Sequence, residues 1–151
     1  MKNINSTFSI PSSWLLVFSC WVIATTATLT SLFFSEIVQL PVCVLCWYQR
    51  IAMYPLVLML PLALFPFDAK IIRYAGVLTF FGGLIALFHV LLVAGYIPES
   101  AQPCVADISC SQTHLNLFGW LNMPMMSLFT FALIGKLLFY ANTKTKRGYL
   151  E

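Results

Sequence analysis

Four stretches of this chain stay apolar for about the length of a bilayer crossing, with polar residues gathered between them. They run from Trp14 to Phe34, from about Cys46 to Phe65, from Tyr74 to Tyr96 and from about Trp120 to Tyr140. A helix needs about 20 residues to cross the hydrocarbon core. The pattern predicts four membrane-spanning helices. Short connections favour packing between sequential helices, so the expected fold is all-α: a transmembrane up-and-down four-helix bundle with two short outer loops. Composition agrees. Hydrophobic residues make up 60% of the 151, charged residues 9%, where soluble domains carry about a quarter charged. Aromatic rings sit near the span ends, where amphipathic groups favour the headgroup level. Pro55 and Pro61 fall within the second span; membrane helices tolerate proline when neighbours satisfy the freed carbonyls. The hydroxyl-rich run Ala24–Ser31 either lets helices approach closely or bonds to its own preceding turn. There is no internal repeat and no soluble domain; residues 1–151 read as one membrane domain.

The charges between the spans set an orientation. Lys2 precedes the first span, Lys70 and Arg73 separate the second from the third, and Lys144, Lys146 and Arg147 follow the fourth. The other two loops, about residues 35–42 and 97–119, hold no Lys or Arg; they carry Glu36, Glu99 and Asp107. Basic residues stay on the cytoplasmic side. Both termini are therefore expected in the cytoplasm, with the other two loops outside. The first span is read as a retained helix rather than a signal peptide cleaved near ATTA, being long and preceded by a polar stretch with a single Lys.

Those outer loops hold four of the five cysteines. Cys43 and Cys46 stand where the first loop enters span two, and Cys104 and Cys110 stand in the second loop. The outer side is where disulfides persist. Cys20, inside span one, reads as a small hydrophobe used for packing. A structural bridge would explain Cys104 and Cys110 well enough. It explains Cys43 and Cys46 poorly, because closing i to i+3 removes little unfolded-state entropy. A C-x-x-C at a helix start suits reactivity instead. Helix N-terminal amides and a nearby cation stabilise thiolate, the form that attacks disulfides.

Arg50 supplies the cation. It follows Cys46 by four residues, so both fall on one helix face about 6 Å apart along the axis. Its side chain is expected to lean back toward Cys46 and the outer interface, where it would hold negative charge on Cys46 and on an acceptor docked there. The plain alternative is an arginine that snorkels to mark the interface. Thiol exchange moves oxidising equivalents but creates none. The chain has no dinucleotide fingerprint and no haem or iron–sulfur motif. A lipid-soluble quinone fits as terminal oxidant, and a pocket for its head is expected near the outer ends of spans one, two and four.

The string CVLCWYQR opening span two, the second cysteine pair and the four-span plan together resemble the DsbB family of disulfide-bond formation proteins, including its short BdbC-type members. The resemblance covers nearly the whole chain. It implies a disulfide-generating protein-dithiol:quinone oxidoreductase of the bacterial cytoplasmic (inner) membrane, part of the relay that keeps the periplasm oxidising. Its partner would be a DsbA-like thioredoxin-fold oxidase, and its cofactor ubiquinone or menaquinone. Cys104 would carry the mixed disulfide with the partner, Cys110 would resolve it, and electrons would pass to Cys43 and Cys46. Cys46 would meet the quinone, Arg50 would polarise it, and His89, in the outer half of span three, corresponds to a family histidine near the quinone. The five residues between Cys104 and Cys110 are a departure, since longer members carry a larger insert there.

Three other readings remain, one of them a purely structural membrane protein with two bridges. In a vitamin K epoxide reductase-like enzyme the quinone-side C-x-x-C follows the loop cysteines; here it precedes them. A zinc or copper protein would use the outer cysteines, or Met123, Met125 and Met126 as soft ligands. The spacing C-x2-C…C-x5-C is a poor zinc signature, methionines at a helix start are commonly apolar filling, and no resident metal is expected.

Overall fold

The computed structural model describes residues 12–39, 42–65, 68–97, 116–117 and 121–148. Cys104 and Cys110 lie outside the described residues. Four helices follow in chain order: α1 (Ser12–Glu36), α2 (Val44–Leu64), α3 (Ala69–Val93) and α4 (Met123–Gly148). α1 packs on α2 and α4, and α3 packs on the same two helices, which closes a four-helix bundle. Ahead of α4, two residues of β1 (Asn116–Leu117) pair antiparallel with two of β2 (Leu121–Asn122).

Local chemistry sets the helix ends. Cys43 caps α2, its sulfur accepting the Cys46 N–H at 3.4 Å. Asp68 caps α3 by accepting the Lys70 N–H at 2.8 Å. α3 stops at Ala94, and Gly95 follows at φ 78°, a left-handed turn that favours glycine. Pro124 stands in the first turn of α4, where a missing N–H costs no helical bond. α2 runs on through Pro55 and Pro61. In α1 the hydroxyls of Ser19, Thr26 and Thr28 bond back to the carbonyls of Leu15, Val22 and Ala24. Those two threonines of the hydroxyl-rich run thus satisfy themselves on their own turn, while Ala24 is fully buried and gives the close contact.

The core is made of small and branched side chains: Val17, Cys20 and Ala24 of α1, Leu56, Leu60 and Ala63 of α2, Ile72, Ala75 and Ala86 of α3, and Ile134, Leu138 and Ala141 of α4. Cys20 is wholly buried with its sulfur 3.8 Å from the Ile134 carbonyl, as packing requires. At Gly82 the Phe131 ring of α4 lies against α3; a Cβ there would run into it. Small residues at such crossings let helices approach without a hydrophobic drive between them. Large apolar groups also cover the outside, among them Leu29, Leu58, Leu62, Phe80, Phe129 and Phe139, as a lipid-facing surface demands.

Three helices, α1, α3 and α4, are long and apolar enough to cross a membrane. α2, with 21 residues, has the length but carries Tyr48, Gln49, Arg50 and Tyr54. Two of these, Gln49 and Arg50, are buried inside the bundle, so the polarity of α2 is turned inward. α4 holds a cation of its own. Lys136 is exposed on its surface, eight residues before Lys144 and so about 12 Å deeper along the axis.

Candidate active site

Cys43, Cys46, Gln49 and Arg50 belong to the first two turns of α2 and its cap, at the end of the bundle opposite Lys70, Arg73 and Lys144. The C-x-x-C spacing brings the two sulfurs to 2.9 Å as free thiols. A disulfide needs about 2.05 Å, so a small side-chain motion separates the open pair from the closed one. Cys43 is buried and Cys46 is half-buried. The cap geometry explains the difference: Cys43 tucks under the first turn, while Cys46 stands beside the exposed rings of Trp47 and Tyr48.

His89 reaches this pair from the last turns of α3. It is fully buried, with Nε2 3.8 Å from Cys43 Sγ and Nδ1 3.2 Å from the side-chain nitrogen of Gln49. A Gln49 amide that donates to Nδ1 leaves the ring proton on Nε2, facing the sulfur. Three donors therefore converge on Cys43: the Cys46 thiol, the Cys46 backbone N–H and His89. Cys43 precedes the span, and its thiol is held well below the usual thiol range. The hydrogen bond from Cys46 does most of this, burial works against it, and His89 adds to it. The backbone N–H of Cys46 and the His89 ring thus both face the Cys43 sulfur.

Arg50 is buried and spans helices. Its Nε donates to Ser31 Oγ at 2.9 Å and its Nη2 to the Ser31 carbonyl at 2.7 Å, both on α1. The guanidinium carbon lies 5.5 Å from the centre of the Trp47 ring, a cation–π distance. The side chain is thus directed across to α1 rather than straight back along α2. Two of its five N–H donors are used by Ser31 among the described residues, and the others remain for an acceptor.

Of the residues singled out by sequence, the structure brings together Cys43, Cys46 and His89, and sets Arg50 four residues beyond Cys46. Gln49 and Ser31 are additions. Gln49 could have been noticed as a second polar residue at the mouth of an apolar span; Ser31 could not, because its part depends on which face of α1 meets α2. Sγ of both cysteines and a ring nitrogen of His89 lie within 4.8 Å of one another, which also makes them a soft donor set for a metal. Met125 and Met126 are exposed on α4, in an apolar setting. The groove the structure describes runs between α3 and α4 and is lined by none of the cysteines, so it is not the pocket expected near the ends of spans one, two and four.

The chain that carries this thiol pair has known relatives. The model of the family described as "Disulfide bond formation protein DsbB" matches residues 12–141. A "Probable disulfide formation protein" of Metapseudomonas resinovorans is 40% identical over 134 residues, 88% of this chain and 93% of that relative. The "Disulfide bond formation protein C" of Bacillus subtilis (strain 168) is 41% identical over 120 residues, 78% of this chain and 86% of its own length. No solved structure matches the chain significantly. The family match spans all four helices and includes the paired thiols at the head of α2, so the chain belongs to the DsbB family and is a disulfide-forming membrane oxidoreductase.

Proposed function

We propose that this protein reoxidises a DsbA-like thioredoxin-fold thiol oxidase and passes the electrons to a membrane quinone. The observation that carries the reading is the pair of thiols 2.9 Å apart beside a buried arginine with donors to spare, at a helix mouth inside a DsbB-family bundle. In net terms a partner dithiol and a quinone become a partner disulfide and a hydroquinone. One partner thiolate attacks the Cys104–Cys110 disulfide, with Cys104 holding the mixed disulfide and Cys110 leaving. The second partner thiolate then closes the partner's own bond and releases Cys104. Exchange with the Cys43–Cys46 disulfide returns the loop pair to the oxidised form and leaves Cys43 and Cys46 reduced.

Closing Cys43–Cys46 again gives up two electrons and two protons, which a bound quinone accepts. Half-buried Cys46 is the sulfur presented to that oxidant. Cys43 carries the charge, and His89 holds the proton at its sulfur. The unused N–H groups of Arg50 suit a carbonyl oxygen that gains negative charge, with Ser31 fixing the guanidinium in place. The same reading sets the cysteine end of the bundle outward and both termini in the cytoplasm of a bacterial inner membrane. Lys70, Arg73 and Lys144 at the opposite end support it.

Quinone reduction by the purified protein, given a reduced thioredoxin-fold partner, tests the reading with each of the four cysteines replaced in turn. Loss of turnover in Cys46→Ser is expected; unchanged turnover there would sink it. Metal analysis of the reduced protein addresses the soft donor set of Cys43, Cys46 and His89. A stoichiometric ion lost on mild oxidation would favour a metal-binding protein instead.

A further inference from the structure

We infer that the groove between α3 and α4 seats one anionic glycerophospholipid, its phosphate between Arg73 and Lys136 and an acyl chain along the groove floor. The groove has a volume of about 640 Å³, and it is apolar along most of its length, with Phe80, Leu84 and Leu87 on one wall and Leu128 and Phe139 on the other. Its polar lining is confined to Arg73, Thr79, Lys136 and Asn142. Thr79 donates to its own Ala75 carbonyl, which leaves two cations and one amide. No carboxylate lines the groove; the acidic side chains among the described residues, Glu36 and Asp68, belong to the end of α1 and the cap of α3.

Depth makes the missing counter-charge matter. Lys136 is one helical turn inside Tyr140, which marks the interface, so its ammonium must reach outward or draw an anion in. Intramembrane lysines normally face a partner, and basic pockets between spans on the cytoplasmic side suit phospholipid headgroups. Asn142 adds a second demand: its Oδ1 is buried and has no hydrogen-bond partner. A headgroup hydroxyl, such as that of glycerol, would donate to it while the phosphate meets the two cations. Room for the chain comes from glycine. A Cβ built at Gly76 would meet nothing within 4 Å, and Gly83 and Gly135 make only ordinary contacts. The groove is thus open beside its two cations, at Gly76 and Gly135, and apolar beyond them.

The test is native mass spectrometry of the purified full-length protein in detergent doped equally with phosphatidylglycerol, phosphatidic acid and phosphatidylcholine. Two cations near one headgroup, each giving about fivefold, amount to about twenty-five-fold retention of phosphatidylglycerol over phosphatidylcholine. Phosphatidic acid lacks the glycerol hydroxyl but carries at least as much negative charge, so it should also be retained over phosphatidylcholine. Arg73→Gln with Lys136→Gln should abolish the preference, and Lys136→Arg should keep it. Gly76→Leu places a side chain in the groove from a position with open space at Cβ and should lower retention of every lipid. The helix signal and Cys46 alkylation report folding in each variant; should the double variant not fold, Lys136→Gln alone gives the reading, with a loss of about fivefold. Equal retention of phosphatidylcholine by the unaltered protein overturns the inference. So does a preference undiminished by Lys136→Gln, or a lipid-free dimer in which a second copy covers the groove.

Discussion

Replacing His89 by leucine is expected to raise the titration midpoint of the Cys43 thiol by about one unit. Cys43 faces the Cys46 thiol at 2.9 Å, the Cys46 N–H at 3.4 Å and His89 Nε2 at 3.8 Å. The Cys46 thiol contributes most to the lowered pKa, burial opposes it, and His89 follows. The sign is fixed by that direction. A lowered midpoint means thiolate persists below the ordinary thiol value of about 8.5, and removing a donor moves its loss to higher pH. A hydrogen bond to a charged group contributes about 1.5–3 kcal/mol, and one pKa unit is about 1.4 kcal/mol. The His89 contact is long, so the lower figure applies; Cys46→Ala, which removes the nearer donor, should shift the midpoint by about two units. The assay is ultraviolet thiolate absorbance against pH in reduced protein carrying Cys20→Ala, Cys104→Ser and Cys110→Ser, so that only the α2 pair titrates. His89→Leu leaves the Gln49 amide without its partner, so Gln49→Leu with His89→Leu serves as the packing control. A midpoint unmoved by His89→Leu, or lowered by Cys46→Ala, would refute the convergence of donors on Cys43.

Three further outcomes are open to measurement. Arg50→Lys should cut quinone reduction about tenfold or more, because one ammonium cannot reproduce the paired bonds of Nε and Nη2 to Ser31; an unaffected rate would mean the arginine only marks the interface. Gly82→Ala should destabilise the bundle by about 1–3 kcal/mol in detergent unfolding, since its Cβ meets the Phe131 ring. Adding Phe131→Leu should recover much of that loss, and a Gly82→Ala protein as stable as its parent would contradict the close approach. Cys20→Ala should keep full disulfide-forming activity and lose about 1 kcal/mol of stability; lost turnover would show that this thiol does more than pack.

The helices were legible because hydrophobic length is written locally, and their ends were less so because capping is not. The third span, expected over 74–96, forms a helix over Ala69–Val93. Asp68 starts it five residues earlier, and the left-handed Gly95 ends it sooner. The fourth begins at Met123, after the β1–β2 pairing, and runs to Gly148 beyond its apolar stretch. In the site, Cys43, Cys46 and Arg50 announce themselves by spacing within one helix. The contacts of His89 with Cys43 and Gln49, and of Arg50 with Ser31, join different helices, and no local pattern encodes them. Lys136 carries no motif, and a hydropathy window averages it away.

The polar residues of α2 tie the chemistry to the packing. Gln49 meets a ring from α3 and Arg50 meets a serine from α1, each buried within two turns of the thiol pair. A buried donor left unpaired costs about 1–3 kcal/mol, and more for a charged one. Separation of α1 from α2 would strand Arg50, and separation of α3 from α2 would strand Gln49 and uncover Cys43. The thiol pair can be brought to 2.9 Å by α2 alone, since its spacing is local. His89 cannot add its donor to Cys43, nor Ser31 hold the guanidinium in place, until both neighbouring helices are seated. Substitutions at Ser31 should therefore alter turnover through Arg50 while leaving the C-x-x-C spacing intact.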